Sequence, residues 1–258
     1  MKGRTHDARR RLDYTGIDRM RPHPVPPRSH PMRIRMETPT TEPPVKVAAL
    51  CGSLRPGSYT AQALRIALQG ARERGAEASF IDLRDYRLPV HPGDKAIAAT
   101  DPEGQRLRAA VRATDGLILG TPEYHGSFSG VLKNALDYLA FEELEGKMIG
   151  LVGVSGGAMG AFGGLGGLRH IGRALHAWVV PEQAAIPEAW KVFDSEGRLK
   201  DPRLAERVAG VGREVARSPG ITSAVSRWNS CTPGKRPPGT LAQRRGGHPL
   251  VGWPEIEY

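Results

Sequence analysis

Cysteine is scarce in this chain: Cys51 and Cys231 are the two among 258 residues. Cys51 ends an apolar run and Cys231 lies in a Pro- and Gly-rich stretch, so a disulfide scaffold is excluded and a reduced, cytoplasmic protein is expected. Long apolar runs are missing as well. Nothing approaches the roughly 20 consecutive residues that span a bilayer, and the N-terminus lacks the apolar centre of a secretory signal. No membrane partner is expected. Two phosphate-binding signatures are also absent from the segment Gly52–Thr60, GSLRPGSYT. Ser58 and Tyr59 stand where a nucleoside-triphosphate loop requires Lys and Ser or Thr. The dinucleotide pattern G-x-G-x-x-G is not there either. A triphosphate with magnesium is a poor candidate for this loop, and a single monophosphate fits better.

An acidic excess is lacking too, for the net charge is +10. That charge sits at the ends. Residues 1–44 hold 10 Lys/Arg against 5 Asp/Glu, residues 218–258 hold 5 against 2, and the 173 residues between them hold 22 against 20. The middle is nearly neutral, so basicity says little about what the body of the protein binds, and nucleic acid is not expected as its partner. Residues 1–44 (with RPHPVPPRSHP) and 218–258 (with TPGKRPPGT and QRRGGHP) show no sustained periodicity. Both are expected to be disordered basic tails, because they cannot bury enough apolar surface to offset ordering entropy. A start of translation nearer Met32 or Met36 would remove most of the first segment.

Between the tails, strands alternate with helices. Val45 to Leu50 (VKVAAL), Ala78 to Leu83, Gly116 to Gly120, Met148 to Val154 and a strand beginning at Trp178 are short and apolar. Helical spacing marks 60–74, 102–113, 129–140, 165–176 and 202–217. Five apolar strands separated by helices indicate an α/β fold: a doubly wound parallel sheet with helices on both faces. Ligands in such sheets bind beyond the carboxyl ends of the strands. Three loops of unusual composition fall on that edge: 52–60, 121–129 and 155–163.

The first loop lies between a strand and a helix. The helix N-terminus offers unpaired N–H donors and partial positive charge. Ser53, Ser58 and Thr60 add hydroxyls, and Arg55 adds a planar fork matched to phosphate oxygens. The alternative is an ordinary connecting turn of small residues. The second loop, TPEYHGSFSG, places Pro122, Glu123, Tyr124 and His125 at a strand end, with Gly126 permitting a sharp turn. A planar ring could stack on Tyr124. Glu123 could act as a base or pair with Arg or Lys of a neighbouring subunit. For His125, ligand contact is favoured over acid/base work, and the lack of partners at metal-ligand spacing argues against a metal. The third loop, SGGAMGAFGGLGG, has seven glycines in thirteen residues. Its backbone either approaches something closely or remains mobile.

GSLRPGSYT, TPEYHGSFSGVLKNALDYL and GVSGGAMG together resemble the NADPH-dependent FMN reductase family of flavodoxin-like proteins, over about residues 45–217. The resemblance implies a flavodoxin-like three-layer sandwich with a five-stranded parallel sheet. It also implies non-covalent FMN, with NADPH or NADH as co-substrate. Electrons would pass from NAD(P)H through FMN to a small acceptor: a flavin, quinone, azo compound or metal ion. On this resemblance Ser53, Arg55, Ser58 and Thr60 would hold the phosphate, and Tyr59 would also bind the cofactor. Pro122, Glu123, Tyr124, His125 and Gly126 would lie along the ring, and Ser155, Gly156 and Gly157 would close over its other edge. His125 departs from the family, where Asn is frequent. The cofactor carries the chemistry, so no catalytic side chain and no metal site are expected. A homodimer or homotetramer is implied. The rival readings are a flavodoxin-like electron carrier without NAD(P)H turnover and a nucleic-acid binder acting through its tails.

Overall fold

The computed structural model describes residues 43–217. The expected disordered tails at 1–44 and 218–258, and Cys231 with them, lie almost wholly outside the described residues. Strand β1 (Lys46–Cys51) turns Val47, Ala49 and Cys51 to one face of the sheet and Ala48 and Leu50 to the other, all buried. Both faces are covered, which is why the run is apolar without alternation. Helix α1 (Tyr59–Glu73) follows, then β2 (Glu77–Asp82) and a 3-10 turn, Leu83–Asp85. The stretch expected to be loop before 102 contains α2 (Lys95–Thr100), started by the Asp94 carboxylate accepting the Ala96 and Ile97 N–H groups. Helix α3 (Pro102–Arg112) opens with Asp101 as its cap and Pro102 in its first turn, where a missing N–H costs nothing.

Strand β3 (Gly116–Tyr124) is longer than the five-residue core expected at 116–120, and it folds back through β4 (Ser127–Phe128). Helix α4 (Gly130–Asp137) ends earlier than expected and is followed by the one-turn α5 (Phe141–Leu144). Strand β5 (Met148–Val154) has the expected limits, as does α8 (Pro202–Arg217). Between them lie α6 (Phe162–Ala174), β6 (Trp178–Ile186) and the one-turn α7 (Ala189–Val192). The parallel strands run in the order β2-β1-β3-β5-β6, and β4 pairs antiparallel with β3 as a sixth, two-residue strand. Five parallel strands were expected; β4 is the addition. Among the described residues no helix is long and apolar enough to cross a membrane.

Two cores flank the sheet. On one face Leu64, Ala67 and Leu68 of α1 and Val208, Val211 and Val215 of α8 share a cluster with Ile118 and Val152. On the other, Leu107, Leu132, Leu136, Leu165 and Leu168 of α3, α4 and α6 pack with Leu50, Leu117, Leu119, Ile149 and Leu151. The chain order changes direction between β1 and β3, and the loops leaving their carboxyl ends therefore stand side by side.

Helices α1 and α8 touch backbone to backbone. A Cβ on Gly212 would come within 1.7 Å of the Ala67 carbonyl oxygen, and one on Gly70 within 1.9 Å of that of Ala209. Arg213 adds an ion pair to Glu73 at 2.6 Å across the same seam. Gly212→Ala should therefore destabilise the protein by about 1–3 kcal/mol through overpacking, despite alanine's better helix propensity. Chemical unfolding of the variant measures this, and an unchanged or raised midpoint would mean that the seam is loose.

Candidate functional site

A cleft of about 180 Å³ opens at the carboxyl edge of β1, β3 and β5, and all three loops contribute to its wall. The first does so through Ser53, Arg55, Ser58, Tyr59 and Thr60. Ser58 caps α1: its Oγ accepts the Ala61 N–H at 3.1 Å. The N–H groups of Tyr59 and Thr60, at the first helical positions, have no intrahelical acceptor. Ser53 and Thr60 are buried, yet neither hydroxyl has a hydrogen-bond partner among the described residues. The Arg55 guanidinium lies 5.5 Å from the centroid of the Tyr59 ring, which itself stacks on Phe193 at 5.1 Å. Arg55 makes no ion pair among the described residues. The edge thus collects donors and positive charge with no acceptor opposite them among the described residues.

Beneath this loop sits Cys51, a free and buried thiol that donates to the Ser53 carbonyl at 3.8 Å. Burial pushes its pKa up, which keeps it protonated and unreactive at neutral pH.

Pro122, Glu123 and Tyr124 supply the second wall. They extend β3 rather than forming a free loop, with Pro122 in register with Val154 of β5. Tyr124 is 55% exposed. His125 and Gly126 stand outside the cleft wall and form the two-residue turn between β3 and β4. Both have positive φ, 52° and 77°. That is the requirement of the hairpin turn for which Asn-Gly is the preferred pair. His125 is thus a turn position, where the Asn frequent in the family would suit the backbone. Glu123 finds its partner within the chain: Oε2 accepts the Gly164 N–H of α6 at 2.8 Å.

Ser155 and Gly156 provide the third wall, and Gly157 lies outside it. The Ser155 Oγ accepts the Gly157 N–H at 3.0 Å. The carbonyls of Ser155 and Gly157 accept from Ala189 and Glu188, at 3.0 and 3.1 Å. These bonds seat α7 against the loop and bring Trp190, 61% exposed, to the cleft opposite the sequence expectation of three loops alone. The glycine-rich run divides at Phe162, where α6 begins. Its later glycines serve packing: a Cβ on Gly163 would meet the Gly126 oxygen at 2.0 Å, and one on Gly167 would meet the Phe128 ring at 2.4 Å.

Sequence reasoning missed Trp190, Val154 and Ala189 on the wall, and it missed Ser129 behind it. Ser129 Oγ donates to the Gly52 carbonyl at 2.6 Å and accepts the Leu132 N–H at 3.2 Å, joining the first loop to the start of α4. A serine directly before a helical pattern is the signal that could have marked it as a cap. Nothing local marks Trp190, which reaches the site only through the fold.

His125→Asn should stabilise the hairpin by about 0.5 kcal/mol, because Asn tolerates the left-handed region better. A rise of about 1–2 °C in the unfolding midpoint is expected, and a fall would contradict the turn assignment.

The sequence profile of the NADPH-dependent FMN reductase family matches residues 45–191. The NADPH-dependent FMN reductase ArsH of Shigella flexneri is 32% identical over 180 residues, covering 68% of this chain and 69% of that protein. A probable NADPH:quinone oxidoreductase of Oryza sativa is 32% identical over 182 residues, 68% of this chain and 92% of that protein. An FMN-dependent NADPH-azoreductase of Staphylococcus saprophyticus is 37% identical over 147 residues, 55% and 76%. Among solved structures, the FerB flavoenzyme NAD(P)H:(acceptor) oxidoreductase of Paracoccus denitrificans superposes with a TM-score of 0.55 at 24% identity, over 69% of this chain and 98% of that one. This likeness concerns the fold, which is flavodoxin-like as expected. An NADH:FMN oxidoreductase superposes with a TM-score of 0.54 at 25% identity, over 67% and 89%. The chain belongs to the NADPH-dependent FMN reductase family, and it is an NAD(P)H-dependent FMN oxidoreductase.

Proposed function

We propose that the cleft is the FMN site, with the phosphate held by the first loop and the ring system by the second and third. The observation that carries this is the set of unanswered donors at one end of the cleft. Among the described residues, two unpartnered hydroxyls on otherwise buried residues, two helix N–H groups without acceptors and an arginine without a carboxylate partner line that end. Such a set is complementary to a phosphate dianion and to little else. Ser53, Arg55, Thr60 and the N–H groups of Tyr59 and Thr60 would bind it, while Ser58 keeps the helix start in place. Pro122, Glu123 and Tyr124 form the wall of the ring end with Gly156, whose N–H has no partner among the described residues.

Bound there, FMN supplies the removal of two electrons from NAD(P)H and their delivery to an acceptor. The protein's part is to orient and to exclude. Tyr124 and Trp190 present half-exposed aromatic faces to the cleft, which suit a flat organic acceptor of the quinone or azo class. Relatives named as a quinone oxidoreductase and an azoreductase support that class. A homodimer or homotetramer belongs to the same proposal. Leu54, Met159 and Phe162 expose large apolar side chains on segments next to the cleft, which a second subunit would cover.

Arg55→Ala should weaken FMN binding by about 1.5–3 kcal/mol, the worth of hydrogen bonds to a charged group. Fluorescence titration of the apo-protein with FMN reads this directly. Riboflavin, which lacks the phosphate, should bind wild type and variant alike. Equal FMN affinity in the two proteins would remove the phosphate from the first loop.

A further inference from the structure

Helix α6 begins without a cap of its own. The residue before its first turn is Ala161, held at φ 58°, and it has no side chain that can accept an N–H. The N–H groups of the first turn need acceptors all the same, and the positive end of the helix needs a negative charge. Glu123 answers one of these N–H groups and supplies the negative charge from outside the helix. It comes from the end of β3, 41 residues earlier in the chain, and its Oε2 accepts the N–H of Gly164 at 2.8 Å. The approach is close because the facing residues are glycines. Side chains at Gly163 or Gly167 would collide with the Gly126 carbonyl or the Phe128 ring.

Glu123 is also part of the cleft wall, between Pro122 and Tyr124. We infer that Glu123 is a positioning residue that does two things for the flavin site. It clamps the β3–β4 hairpin onto α6, fixing the backbone of 122–124, and its carboxylate offsets the positive end of α6 beside the cleft. The second role rests on the assignment of FMN to this cleft; the first does not. Reduced FMN carries more negative charge than oxidised FMN. The carboxylate therefore holds the flavin potential below the value that the uncompensated helix end would give.

Glu123→Gln and Glu123→Ala separate the two roles. The glutamine amide oxygen can still accept from Gly164 but carries no charge; alanine can do neither. In the apo-protein, hydrogen exchange at the Gly164 amide should quicken on the order of tenfold in E123A and stay near wild type in E123Q. Should E123A fail to fold, Glu123→Asp, one methylene too short to reach, gives the same reading. With FMN bound, E123Q should favour the reduced form by about tenfold, a rise of about 30 mV for a two-electron couple. Unchanged exchange at Gly164 in E123A or E123D overturns the clamp. A potential that stays put or falls in E123Q overturns the charge role. A wild-type protein that takes up no FMN instead defeats the site assignment, and the exchange measurement still decides the clamp.

Discussion

Everything at the site hangs on the parallel register of β1 with β3, in which Cys51 stands opposite Gly120. One residue beyond, the Gly52 N–H donates to the Gly120 carbonyl at 2.8 Å, and the Gly52 carbonyl accepts from Ser129 Oγ at 2.6 Å. Both glycines are there for lack of room. A Cβ on Gly120 would come within 2.5 Å of Leu64, and one on Gly52 within 2.7 Å of Leu132. The chain can thus leave β1 here while β3 runs on to its hairpin, at the point where strand order reverses. The first loop is sent one way and the hairpin the other, with the cleft between them. A parallel sheet leaves this edge open because each connection departs over a face.

Around that node the loops are not independent. Ser129 ties the first loop to α4, Glu123 ties the hairpin to α6, and Ser155 and Gly157 tie the third loop to α7. The ring of Tyr59 stacks on Phe193, which follows α7 directly, and so closes the circuit back to the first loop. Each wall of the cleft is therefore held by an element other than its own strand. Such cross-bracing pre-organises the cleft.

How legible this was depended on the length scale of the signal. Strands buried on both faces announce themselves as unbroken apolar runs, and β5 and β1 appear within a residue of where VKVAAL and MIGLVGV place them. Helices α2, α5 and α7 are six, four and four residues long, too short for a 3.6-residue period to register. The glycine run shows by its composition that backbone must approach something, but not what. At Gly163 and Gly167 that something is the hairpin, not a ligand. For His125 the sequence shows a polar side chain at a strand end but not the φ of 52° that makes it a turn position. Trp190 was beyond reach, since only tertiary structure carries α7 to the cleft. The first-loop residues and Pro122, Glu123, Tyr124, Ser155 and Gly156 were legible, because each lies just past a readable strand.

The central claim is that FMN sits with its phosphate at the N-terminus of α1. A crystal structure of the protein with FMN tests it most directly. The account predicts phosphate oxygens within hydrogen-bond distance of the Tyr59 and Thr60 N–H groups and the Ser53 hydroxyl, with the ring against Tyr124. Phosphate density elsewhere, or a flavin ring lying over the first loop, would contradict it.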